Sequence, residues 1–188
     1  MTASIIVLAV REQDRRVAMY AAVAVGLTLA EAAIPLPIPG IKPGLANIVT
    51  LVVLLLFGWR MAVWVSLLRV VAGALLLGSF LTPAFVLSLS GALASLMLLA
   101  LFRGLYPSIL GAVGLSVLAA FAPIGAQLMV VDVWLMPGVS LLSLAPVFLG
   151  AAWLTGLVNG LVAVRVLAQA GRAGTLDSQR GPVTVEST

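Results

Sequence analysis

The polar residues of this chain are few enough to be weighed one at a time. Lys42 stands near the end of Pro35-Leu-Pro-Ile-Pro-Gly-Ile-Lys-Pro-Gly44, and Asn47 follows three residues later. Four prolines and two glycines in that segment forbid helix and sheet and stiffen the chain, so the loop should hold a shape. Asn47 falls just inside the next apolar run, near the positive end of the helix it predicts. An ammonium beside a helix N-terminus suits an anionic headgroup. The alternative is a stiff turn from which Lys42 snorkels to water.

Arg69 lies inside an apolar run, where a charge costs at least ~2.5–3.5 kcal/mol on insertion scales. A carboxylate, carbonyl groups or cavity water must compensate it. Glu31 and Asp132 are the acidic residues near apolar segments. Both fall toward the ends of their runs, about two turns from the level of Arg69. A pair of Glu31 with Lys42 is the easier geometry, and Arg69 meets a carboxylate only if a side chain reaches down. Gln127, four residues past Pro123, and Asn159 are isolated amides, suited to a neighbouring helix or to a ligand. Ser88 and Ser90 have a third option, since a serine can bond back to its own helix.

The elements that must position these groups are written in the hydropathy. Of 188 residues, 63% are hydrophobic and 9% charged, with a mean hydropathy of +1.25. A soluble domain of this size could not hide so much apolar surface. The expected fold is all-α and polytopic. Breaks at charge, proline and glycine predict six transmembrane helices: Val17–Ile34, Leu45–Phe57, Met61–Phe80, Pro83–Phe102, Pro107–Met136 and Ala145–Ala168. Pro123 should kink the fifth. With the N-terminus inside, Arg11, Arg15, Arg16, Arg60, Arg103, Arg165, Arg172 and Arg180 are cytoplasmic and only Lys42 faces out. Both termini are then cytoplasmic, in the inner membrane of a bacterium.

The organisation expected is a cytoplasmic segment over residues 1–16, a transmembrane domain over 17–170 and a disordered cytoplasmic tail over 171–188. Residues 1–10 are apolar but precede their charges, the reverse of a cleaved signal. They lie at the interface or extend the first helix.

Composition also excludes chemistry. With no cysteine and no histidine, disulfides, thiolate catalysis, imidazole metal sites and a Ser-His triad are ruled out. No G-x-x-x-x-G-K-[ST] loop and no D-D-x-x-D pair are present, and six scattered acidic residues do not build a magnesium site for a diphosphate. The net charge of +4 is distributed singly between apolar runs and forms no basic face, so no nucleic-acid partner is expected. The expectation is a protein that is not an enzyme and carries no cofactor or metal.

Ala18, Ala22, Gly26 and Ala30 form a stripe of small residues at a spacing of four. On a helix they share one face and let another backbone approach closely. That approach is either ordinary packing within the bundle or docking of a partner membrane protein.

Three stretches carry a resemblance: K-P-G-L-A-N-I over 42–48, L-R-V-V-A-G-A-L-L-L-G over 68–78 and S-L-S-G over 88–91. They resemble the Gx transporter family, also labelled heptaprenyl diphosphate synthase component I. That family is similar to the substrate-binding (S) subunits of energy-coupling-factor (ECF) transporters. The resemblance implies an S-component-like bundle of six helices with cytoplasmic ends and a ligand pocket in the outer half. It also implies that the first-helix stripe docks a transmembrane coupling subunit served by separate ATPases. The synthase label fits the residues less well, since the acidic magnesium ligands of prenyl transfer are missing.

The leading functional expectation is therefore a membrane subunit that binds a small organic, anionic molecule through Lys42, Asn47, Arg69 and Gln127. The alternative is a non-catalytic accessory subunit in isoprenoid, quinone or electron-transfer metabolism.

Overall fold

Glycine and proline set the helix ends in the observed architecture. Among the described residues six α-helices follow in chain order: α1 Glu12–Ala33, α2 Leu45–Phe57, α3 Trp59–Leu76, α4 Pro83–Phe102, α5 Ala112–Val130 and α6 Ala145–Gln179. A 3-10 turn, Arg103–Leu105, extends α4, and a π-helical turn, Val131–Leu135, extends α5. The structure is a computed structural model and describes residues 11–33, 45–106, 108–135 and 145–179. Lys42 and the rest of the loop before α2, residues 1–10 and Arg180 lie outside the described residues.

α2 and α4 occupy the residues expected of them. The other boundaries shift for local reasons. α1 begins at Glu12 because the charged stretch before Val17 is itself helical. α3 stops at Leu76 instead of Phe80. There Gly78 takes φ +66, while its N–H donates to Leu75 O (3.2 Å) and that of Ser79 to Ala74 O (2.8 Å). This is the Schellman arrangement, which needs a left-handed residue and so favours glycine. α5 starts after Gly111, not at Pro107, and continues through Pro123. α6 runs to Gln179, so the first part of the segment expected to be a disordered tail is helical.

One set of contacts joins α1, α2 and α3, and another joins α4, α5 and α6; α2 against α6 and α3 against α4 hold the two sets together. α2 lies at the centre, with Val49 and Leu51 to Leu54 all buried. A helix that is apolar all round belongs inside, and α2 has no polar face to show. Its 13 residues reach only about 20 Å at 1.5 Å per residue, less than a ~30 Å hydrocarbon core. The other five helices are long and apolar enough to cross a membrane. The expected six spans are thus five long helices around one short, enclosed helix.

The outer surface is apolar as well. Met97 is 73% exposed and Leu101 74%, and Trp64, Trp134 and Trp153 are more than half exposed. Lipid is the solvent in which such a surface is stable. At one end, Arg16 and Arg103 sit over the rings of Phe57 and Trp59, beside Arg60. α1 and α3 both start from this arginine-rich end.

Candidate functional site

The buried charge lies beside the packing of α1 on α3. A Cβ on Gly73 would lie 3.4 Å from the Thr28 methyl, so the glycine lets α1 come close there. Glu31 is one turn beyond Thr28, and Arg69 one turn before Gly73. The helices run parallel, so the charges flank this contact with about 10 Å of helix rise between their backbones. An arginine side chain spans most of that, and Glu31 is the group whose charge acts on Arg69. The Glu31 side chain is only 5% exposed. The charge of Glu31 acts on Arg69, and the pair with Lys42 that the sequence made the easier geometry involves a residue outside the described ones. Arg69 Nε is enclosed and has no hydrogen-bond acceptor from the protein.

Asn47 lies elsewhere. With Ser95, Ser116 and Asn159 it lines a small cavity where α2, α4, α5 and α6 meet. The cavity holds about 10 Å³, room for roughly one water molecule. Neither Arg69 nor Gln127 lines it. The four polar residues bring hydroxyl and amide groups from four helices into one apolar setting. There, unpaired polar groups are costly and shared hydrogen bonds fix register.

Gln127 joins α5 to α4. Its Nε2 donates to Leu87 O at 3.3 Å, and a Cβ on Gly91 would meet that nitrogen at 2.9 Å. Gly91 thus makes the room in which the amide crosses. Pro123, one turn earlier, has no N–H, which frees the carbonyl of Ala119 from its helical partner. Ser95 Oγ on α4 donates to that carbonyl at 3.3 Å. Ser90 bonds back to Leu87 O at 3.0 Å, as a serine on a membrane helix can.

The stripe of Ala18, Ala22, Gly26 and Ala30 is exposed at every position, and a Cβ on Gly26 would meet nothing within 4 Å. The opposite face of α1 carries the buried Ala21, Ala24 and Glu31. Packing of the stripe within this chain is therefore excluded among the described residues. The close helix contact in the fold is instead made by Gly156 and Gly160 on α6. Cβ atoms there would come 2.8 Å from Val117 Cα and 2.7 Å from Val113 Cα. Sequence reasoning passed over this G-L-V-N-G pattern, although its G-x-x-x-G spacing is the signal that could have found it. Ser95 and Ser116 were missed too. Ser95 was detectable through Pro123 and the carbonyl it frees; Ser116 has no local signal.

Of the four residues expected to bind substrate, Arg69, Asn47 and Gln127 thus occupy three separate settings, and Lys42 lies outside the described residues. No group of three or more His, Cys, Asp or Glu residues that could hold a metal ion occurs among the described residues.

Long apolar helices, an apolar outer surface and polar groups directed between helices define a multi-pass helical membrane protein. Within that class, the family model of heptaprenyl diphosphate synthase component I matches residues 20–166. The match covers most of the chain, and the protein belongs to this family. Comparison with curated proteins and with solved structures gives no match.

Proposed function

We propose that the protein is a membrane-embedded binding subunit of the S-component type, working with a second membrane protein and not as an enzyme. The observation that carries this reading is the exposed small-residue face of α1. Four small side chains present a nearly bare backbone ridge, while the other face of the same helix is committed to α2 and α3. In lipid there is little hydrophobic drive between helices, so close backbone approach is what a partner helix would gain. The partner would be a transmembrane coupling subunit associated with ATPases.

In this reading all six helices belong to the bundle, with both ends on the cytoplasmic side of the inner membrane. A small organic anion would bind toward the opposite side. Lys42 and Asn47 would approach it from the loop and the start of α2. Arg69 would offer its guanidinium, and Gln127 would offer its amide. Mass spectrometry of molecules extracted from gently purified protein tests the binding role. A co-purifying anion that is lost in Lys42→Ala supports it; an empty wild-type protein together with uptake unaffected by Lys42→Ala rejects it.

A second reading is favoured by the family's description. The chain would then be a non-catalytic accessory subunit in isoprenoid, quinone or electron-transfer metabolism, with the same α1 face docking its partner. Neighbouring genes separate the two: coupling-subunit and ATPase genes favour transport, and a prenyl synthase or flavin-transferring gene favours the accessory role.

A further inference from the structure

An opening lies at the arginine-rich end, away from the residues considered above. It is a cavity of about 230 Å³ between the last turn of α2, the start of α3, the turn after α4 and α5. Leu54, Leu55 and Leu115 form its apolar wall, and Trp59, Arg103 and Tyr106 its polar side. Gly58 completes it at φ +86, a conformation that joins α2 to α3 in one residue and that side chains rarely adopt.

Arg103 is held without being neutralised. Its guanidinium carbon lies 5.5 Å from the centre of the Trp59 ring, a cation–π stack that occupies one face of the group. The N–H donors radiate from the edge of the plane, so stacking leaves them able to take an anion. No carboxylate pairs with Arg103 among the described residues. Tyr106 adds a phenol, and the start of α3 has no side-chain cap on its backbone N–H groups. Arg103, Tyr106 and the first N–H groups of α3 can each donate to an anion. Leu54 and Leu115 are already buried in the core, and Leu55 is the partly exposed leucine, which a free ion would leave uncovered and a lipid chain would cover.

We propose that this cavity binds an anionic phospholipid, with the phosphate at Arg103 and Tyr106 and an acyl chain leaving past Leu55 toward the bilayer. The location suits that occupant, because the ends of apolar helices lie at headgroup level and basic residues there attract anionic lipid. The site is distinct from Arg69, Asn47 and Gln127 and independent of what they bind.

Native mass spectrometry of the full chain in detergent, titrated with dioleoyl phosphatidylglycerol, dioleoyl phosphatidylcholine or inorganic phosphate, tests the proposal. The unmodified protein should take up one phosphatidylglycerol saturably and more tightly than phosphatidylcholine, and inorganic phosphate should not displace it. Arg103→Gln should weaken that binding by about tenfold or more, the loss of a charge-assisted hydrogen bond. Arg60→Gln, at an exposed arginine outside the cavity, should leave it unchanged. Equal binding of the two lipids, displacement by inorganic phosphate, or equal effects of the two substitutions overturns the proposal. The ligand comparison needs no variant, so the test stands even if a substituted chain is unstable.

Discussion

On α6, Ala152, Gly156 and Gly160 are buried, and the two glycines lie so close to α5 that neither could carry a side chain undisturbed. On α1, Ala18, Ala22, Gly26 and Ala30 repeat the same spacing, yet all four face outward. α6 is fastened by steric fit along its small face. α1 is fastened from its other side, by Thr28 against Gly73 and by the charge of Glu31 on Arg69. Small residues at that spacing therefore permit close approach without saying which helix will approach. Where none of the described residues does, the ridge is left exposed.

The strongest challenge to this contrast is the charge that holds α1. Glu31→Leu should destabilise the protein by about 3–5 kcal/mol, since it leaves Arg69 buried without its counter-charge. The double variant Glu31→Leu/Arg69→Leu should recover most of that in thermal unfolding in detergent. If the double variant is no better than the single one, the charges do not act as a pair.

Next in size is the α6 contact. Gly160→Leu forces side-chain atoms against the α5 backbone and should cost about 1–3 kcal/mol or more, read as a lower unfolding midpoint or loss of a monodisperse peak. A neutral outcome would mean that α5 and α6 yield easily and that the glycines are not needed for packing. Ser95→Ala, which returns the Ala119 carbonyl to its unpaired state beside Pro123, should cost about 1 kcal/mol. Measured together with Pro123→Ala, which restores the helical N–H, the effect should shrink.

The smallest effect on stability is expected at Gly26→Leu. Among the described residues nothing lies within 4 Å of a Cβ at that position, so unfolding should be unchanged. Association with a co-expressed coupling subunit should instead fall sharply, because the bulk lands on the proposed docking ridge. A variant that unfolds as easily as Gly160→Leu would erase the distinction between the two faces.

Much of the fold was legible beforehand. α2 and α4 begin and end where apolar runs meet proline, glycine or charge, and such breaks act locally. The end of α3 was misplaced because Gly78 stops the helix through a capping motif, while the apolar run itself continues past it to Phe80. The reach of α6 was underestimated because its final turns are polar and gave no hydrophobic periodicity to follow. The candidate site was less legible. Arg69 was recognisable as a charge requiring compensation, but the action of the Glu31 charge on it depended on how closely Gly73 lets α1 approach α3. Asn47 was singled out for its place after the loop, whereas Ser95, Ser116 and Asn159 join it from helices far away in sequence.

By itself, the sequence determined that the chain is helical and suited to lipid, because apolar composition and backbone-breaking residues act within a few positions of themselves. It also identified the polar groups that an apolar setting would have to satisfy. Tertiary structure alone decided which small-residue ridge is filled, which carboxylate's charge acts on Arg69, and which serine takes the carbonyl freed by Pro123. These choices depend on contacts between helices distant in sequence, and two ridges with one spacing look alike until a neighbour occupies one of them.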